Sequence, residues 1–206
     1  MRSVRVAIFA SGKGSNAMAL IQKAKELPKN LVEISFVLSD QTEAGVIEKA
    51  KDQGVKVLTV PRITGKRDHE EEILRILLSH QIDWIFLAGY MRLLSATFLK
   101  TFAAWHGGSS QVVNIHPSLL PAYPGVDSIK RAYEDQTPIS GVTLHYVDEG
   151  MDTGMIIHQD SIVRNPSDSF EVWTAQFHSV EHRLYGAFLE EIAHKKVPTV
   201  YFEENP

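Results

Sequence analysis

Cysteine is absent from all 206 residues, which removes disulfides, thiolate nucleophiles and cysteine-based zinc sites at once and leaves the redox compartment open. An excess of positive charge is also missing. Lys and Arg total 21 against 25 Asp and Glu, a formal net charge of −4, and the two signs are interspersed along the chain. With no basic stripe to neutralise a row of phosphates, nucleic acid is not an expected partner. No apolar run approaches the ~18 residues of a membrane span, and Arg2 and Arg5 interrupt the first apolar stretch, which therefore lacks the long core of a signal peptide. The expectation is a soluble, cytoplasmic protein with no membrane partner. Composition does not decide between monomer and homodimer.

What is present is a 44% hydrophobic content, enough for one large domain with a sizeable core. Val4 to Ala10 is a β-branched apolar run ended by Ser11-Gly-Lys-Gly-Ser15, after which Met18, Leu20, Ile21 and Ala24 recur at helical spacing. The cycle repeats with strands at 34–38, 55–60 and 84–87 and helices at about 43–53 and 68–79. Strands alternating with helices imply right-handed crossovers and an α/β fold: a doubly wound, mostly parallel twisted sheet with flanking helices. Residues 111–115 form another apolar strand, followed by a proline-rich stretch to Gly125 that can continue neither element. After a helix near 127–134, residues 141–147 and 155–163 read as a strand pair whose direction periodicity does not give. Ser167-Asp-Ser-Phe-Glu171 opens the last helix, with a core side of Val172, Phe177, Leu184, Phe188 and Ile192. Ligands of open α/β sheets sit beyond the strand carboxyl ends, so the loops at 11–16, 88–92, 116–125 and 148–154 are expected to share one cleft.

Three segments carry candidate chemistry. Gly12-Lys-Gly-Ser-Asn16 lies where backbone N–H groups at a helix start favour an anion, and phosphate is its natural guest. The rivals are a dinucleotide site, although the third glycine of G-x-G-x-x-G is Ala17 here, and a bare glycine turn. Asn114 and His116 end a strand on one face of it, where an amide and an imidazole could both donate to a developing oxyanion. Asp152, in the glycine-flanked loop 149–154, could supply a carboxylate that holds the imidazole protonated. A histidine at a strand end is also commonly structural. His178, Glu181 and His182 match the H-x-x-E-H pattern of some zinc peptidases and share one helix face, which makes a zinc hydrolase an alternative.

The run Asn114-Ile-His-Pro-Ser-Leu-Leu-Pro121, with Tyr123-Pro-Gly125 and Gly141-Val-Thr-Leu-His-Tyr-Val-Asp-Glu-Gly-Met-Asp-Thr-Gly154, closely resembles the folate-dependent formyltransferases. The similarity extends from Ala10-Ser-Gly-Lys-Gly-Ser-Asn16 through Leu87-Ala-Gly-Tyr-Met-Arg92 to Val180-Glu-His-Arg-Leu-Tyr185, nearly the whole chain. It implies a Rossmann-like formyltransferase fold and transfer of the formyl group of 10-formyltetrahydrofolate, as co-substrate, to the amine of glycinamide ribonucleotide in de novo purine biosynthesis, with no metal. It places Asn114, His116 and Asp152 as the catalytic amide, imidazole and carboxylate. Gly14, Ser15 and Asn16 stand in the loop for the nucleotide phosphate, and Glu181 where the ribose hydroxyls bind. The folate's pterin falls to backbone around Arg92 and Leu94 and to Asp148, Glu149, Gly150 and Met151 beside Asp152, and Arg67 to the folate's glutamate carboxylate.

The resemblance also sets expectations for organisation. One domain over 1–206 is expected, its phosphate half about 1–100 and its catalytic and folate half about 101–206. The chain starts at its first strand and stops soon after the last helix, which leaves no room for the extra domain of formyltetrahydrofolate hydrolases or methionyl-tRNA formyltransferases. The hydrolase remains an alternative because it shares the trio, and a nucleotide sensor without turnover is a third reading. The segment 102–111 reads as a surface insertion, and His178 replaces whatever polar residue relatives carry there.

Overall fold

The computed structural model describes residues 2–63, 65–197 and 199–201, so the single-domain reading over 1–206 includes positions outside the described residues. The elements in chain order are β1 (Val4–Phe9), α1 (Ser15–Glu26), β2 (Val32–Ser39), α2 (Gly45–Asp52), β3 (Val57–Thr59), α3 (Lys66–Ser79), β4 (Trp84–Leu87), α4 (Ala96–Ala104), β5 (Val112–His116), α5 (Ser128–Glu134), β6 (Ile139–Tyr146), β7 (Ile156–Val163) and α6 (Phe170–Ala193). The strands make one seven-stranded sheet in the order β3-β2-β1-β4-β5-β6-β7. Pairing is parallel from β3 to β5 and antiparallel at β5–β6 and β6–β7. The expected doubly wound, mostly parallel sheet is what the chain forms.

The central strands read as continuous apolar runs because both of their faces are covered. Val6 and Ile8 point into a core made with α1, α2 and α6, whereas Ala7 and Phe9 point into a second core that includes Ile73, Leu77, Phe98 and Phe102 from α3 and α4. Along β5 the same alternation puts Val113 and Ile115 in the first core and Val112 in the second. Among the described residues no helix is long and apolar enough to cross a membrane.

Two expectations need correction. Residues 102–111 are not simply a surface insertion: α4 runs to Ala104, Phe102 lies in the second core, Ala103 is buried, and Ser110 N–H donates to Val200 O at 2.7 Å. The polar tip at 105–109 hides a helix end whose apolar residues are too few to show a period. On α6, Val172 is 49% exposed and the fully buried residue is Trp173. Ser169, whose Oγ accepts from Val172 N–H, starts the helix and sets its phase.

Candidate active site

Asn114 and His116 lie on the Val112 side of β5, and that side is covered by helices only as far as Val112. Opposite them across the antiparallel pair stand His145 facing Asn114 and Thr143 facing His116. The proline-rich loop over this patch is held by buried polar contacts. The Thr143 hydroxyl donates to Ser118 O at 2.7 Å and accepts from Leu120 N–H at 3.1 Å, while Gln159 Nε2 donates to Leu120 O at 2.9 Å. These bonds shape the proline-rich loop that follows His116.

Asp152 arrives by an indirect route. Because β6 is antiparallel, Tyr146 is level with Val113 and Val147 N–H donates to Val112 O. The chain therefore leaves β6 at the amino-terminal end of β5 and doubles back over the uncovered face. There Asp152 Oδ2 lies 3.3 Å from His116 Nδ1 and accepts from Gly125 N–H at 2.8 Å, while Oδ1 lies 3.4 Å from Asn114 Nδ2 and 3.6 Å from His145 Nε2. Burial pushes the Asp152 carboxyl upward, but the hydrogen bonds from His145 and the Gly125 amide, with the charge of the two imidazoles, hold it below its ordinary value. The backbone of Asp152 is left-handed, at φ 58°.

Hydrogen-bond chemistry restricts the protons here. His116 Nε2 lies 2.8 Å from the carbonyl oxygen of Tyr123, which can only accept, so Nε2 carries a proton. Nδ1 faces the Asp152 carboxylate, another acceptor, and a ring with both protons satisfies both neighbours. His145 Nδ1 likewise donates to Tyr146 O at 2.8 Å, and its Nε2 faces both Asn114 Nδ2 at 3.2 Å and Asp152 Oδ1 at 3.6 Å. The site thus holds an amide donor, an imidazole ring between two oxygens and an ionised carboxylate. Such a set stabilises negative charge forming on a carbonyl oxygen.

The glycine loop 11–16, the expected phosphate site, follows β1 at the start of α1. Gly14 caps α1 in a left-handed conformation at φ 78°, and a Cβ there would lie 2.5 Å from Val46 Cγ2, so only glycine fits. The first turn of α1 carries no acidic side chain, and Asn16 is buried with its Oδ1 unpartnered. Helix α6 comes to the same end. Its Phe188 packs on Trp84 while Tyr185, three residues earlier, donates to Leu87 O at 2.6 Å. The helix therefore runs against β4, and His178 and Glu181 lie toward the strand carboxyl ends where α1 begins. Glu181 is buried and its Oε2 is 2.9 Å from His178 Nδ1, a hydrogen bond that raises the His178 pKa.

The remaining predicted residues are placed differently. Arg92 Nε is 2.7 Å from Asp40 Oδ2, a carboxylate buried at the end of β2 that also accepts from Ser11 Oγ at 2.5 Å. Ser11 in turn accepts from Met91 N–H at 2.9 Å, so the start of the loop 11–16 and the Met91–Arg92 segment share one anchor. The Leu94 side chain is in the second core, which leaves only its backbone for a ligand. Asp148 accepts from Gly150 N–H at 3.0 Å and Thr153 Oγ1 at 2.7 Å, bracing its own loop, and Glu149 and Met151 are exposed beside it. Arg67 stands apart, its side chain 88% exposed and paired with Glu71 on α3. The zinc alternative finds no support: Glu181 is engaged by His178, and the described residues contain no group of three His, Cys, Asp or Glu that could hold a metal ion.

The formyl transferase family matches residues 4–189 of this sequence. The chain belongs to the formyl transferase family. Within that family it is 37% identical over 190 residues to the phosphoribosylglycinamide formyltransferase of Bacillus subtilis, covering 91% of this chain and 94% of the relative. The crystal structure of phosphoribosylglycinamide formyltransferase from Bacillus halodurans superposes with a TM-score of 0.82 at 42% identity, over 97% of this chain and 100% of that one. Glycinamide ribonucleotide transformylase 1 from Geobacillus kaustophilus gives 0.84 at 41% identity, over 93% and 100%. As a formyl transferase, the chain places its Asn-x-His pair and its aspartate loop on the uncovered patch of the sheet.

Reading the residues alone missed three participants: His145, the Tyr123 carbonyl and the Gly125 amide. His145 becomes visible only when β6 is known to be antiparallel, which brings it opposite Asn114. The two backbone groups carry no side-chain signal.

Proposed function

We propose that this chain transfers the formyl group of 10-formyltetrahydrofolate to the primary amine of glycinamide ribonucleotide, within purine biosynthesis. The observation that carries the reading is the convergence of Asn114, His116 and Asp152 at the end of β5 in a formyl transferase chain. The nucleotide phosphate would take the amides of Gly14, Ser15 and Asn16 at the start of α1, with the ribose hydroxyls on Glu181. The folate would lie on the other side, against the backbone of Arg92 and Leu94 and the loop 148–151, its carboxylate tail toward Arg67.

Chemistry follows from what lies between. The amine nitrogen attacks the formyl carbon, a C–N bond forms, and the carbonyl electron pair moves to oxygen. Asn114 Nδ2–H and the His116 ring meet that oxyanion; Nδ1 is committed to Asp152, so Nε2–H is the donor whose partner can change. Collapse breaks the bond to the folate nitrogen, which leaves with a proton, and the proton lost by the amine moves through the Asp152 side of the site, directly or by way of water. The amine is itself a good nucleophile, so no covalent enzyme intermediate is required.

An assay following loss of 10-formyltetrahydrofolate, with and without glycinamide ribonucleotide, tests the proposal. Turnover only when both are present is the expected result. Consumption without the amine would replace transfer by hydrolysis.

A further inference from the structure

We infer that Tyr123 is a positioning residue for His116, held in place from outside the cleft by the turn that follows α5. The inference rests on the proposed catalytic role of His116. Tyr123 is an aromatic residue in the left-handed backbone region, at φ 52°, a conformation that persists only when its surroundings fix it. Its surroundings do so from several directions. The hydroxyl lies 3.0 Å from Asp135 Oδ2 and 2.6 Å from Thr137 Oγ1. The Arg131 guanidinium stands 5.7 Å from the ring centroid and also donates to Pro124 O. On the chain's other side Ser118 Oγ donates to Ala122 O at 2.6 Å.

This grip is transmitted to the imidazole through one atom. The Tyr123 carbonyl is 2.8 Å from His116 Nε2, on the opposite edge of the ring from Asp152. A ring held by Asp152 alone could pivot about its χ2 torsion, which is broad for an imidazole. A ring held at both nitrogens cannot. Because a carbonyl has no proton to give, Tyr123 also keeps the proton on Nε2 in every charge state, so the proton that can come and go is the one on Nδ1, facing Asp152. The hydroxyl anchor, on a part of the surface that touches neither proposed substrate, therefore sets the plane of the His116 ring and the direction of the Nε2–H that the Tyr123 carbonyl holds until the oxyanion forms.

Tyr123→Phe keeps the ring and removes only the anchor, and Thr137→Val removes one of its partners from outside the loop. Each should lower kcat by about tenfold, the size of one lost hydrogen bond, with both KM values within about twofold because neither substrate is touched. At a pH high enough to deprotonate the ring, 15N shifts of His116 should show a single Nε2–H tautomer in the parent and a mixture in both variants. Asp135→Asn, which keeps an acceptor oxygen, should behave like the parent. Unchanged kcat and ring shifts in both Tyr123→Phe and Thr137→Val would overturn the inference, as would a rise in both KM values at normal kcat. If Tyr123→Phe does not fold, Thr137→Val decides by the same two readouts. A parent protein without formyl transfer would sink the catalytic reading, and the ring shifts alone would then decide whether Tyr123 orients His116.

Discussion

Asp152→Asn is the most informative single substitution, because it removes one charge and leaves an oxygen able to accept from the Gly125 amide. Asp152 Oδ2 stands 3.3 Å from His116 Nδ1 on a side chain 12% exposed. At an effective dielectric of about 20, two unit charges at that distance interact by about 5 kcal/mol, and water in an open cleft brings the realised loss to about 2–3 kcal/mol. At 1.36 kcal/mol per decade that is on the order of 100-fold in kcat, with KM for both substrates within about threefold. Steady-state kinetics over both substrates gives the split directly, and a kcat within about threefold of the parent would refute the reasoning. The same carboxylate has a second signature. Its pKa in the folded chain lies below the ordinary 3.8, so its ionised form contributes stability above the unfolded pKa, and that contribution is lost as pH falls through the folded one. The parent's advantage over Asp152→Asn in urea unfolding should be constant at neutral pH and close below about pH 4.

Other substitutions probe the rest of the cleft. Glu181→Ala should weaken glycinamide ribonucleotide binding by about 10- to 100-fold, the range for hydrogen bonds to a charged group, and leave folate affinity unchanged by calorimetry; equal losses for both ligands would contradict the division of the cleft. Asp40→Ala strands Arg92, whose side chain is 34% exposed, and should cost about 2–3 kcal/mol in urea unfolding, the lower side of a broken buried pair, with Asp40→Asn costing less. Gly154→Ala would place a Cβ 1.8 Å from Tyr146 O, so the loop carrying Asp152 must move: turnover should fall at least as far as in Asp152→Asn, and parent-like kinetics would show that the loop position is not needed.

The parallel part of the fold is legible because each strand is short, apolar and followed by a helix with its own period, as in β1 and α1. The helix α4 is not, since Phe98, Leu99, Phe102 and Ala103 supply its buried face in only nine residues and sit next to a glycine-serine tip that reads as loop. Asn114 and His116 are legible as a pair because strand alternation alone puts them on one face. Asp152 can be selected as a carboxylate in a glycine-flanked loop, but its route to the pair depends on strand direction, which an apolar period does not contain. Arg67 is a different case. A guanidinium near the right place in sequence is, in the folded chain, on the solvent side of α3 and paired one turn along with Glu71.

The reversal of the sheet at β6 explains how three separate segments meet. A sixth parallel strand would need a crossover between β5 and β6, and its following loop would leave beyond the carboxyl ends, above the sheet edge instead of over its face. Running β6 against β5 does two things at once. It sets His145 opposite Asn114, and it releases the chain at Val112, from where the loop can return only across the face that α3 and α4 leave uncovered. Gly154 makes the return possible, because its missing side chain lets the backbone pass against Tyr146 O. Asp152 then comes down on Asn114 and His116 from above, while the Gly125 amide and the Tyr123 carbonyl close in from the proline-rich loop. The loop after β5 and the loop after β6 thus fix one imidazole between them, and the open side left over is the carboxyl edge of β5, beside the Arg92 segment that follows β4 and the start of α1 that follows β1. On the proposed reading an amine held from the α1 side and a formyl group held from the Arg92 side can meet only there, within reach of Asn114 Nδ2 and His116 Nε2.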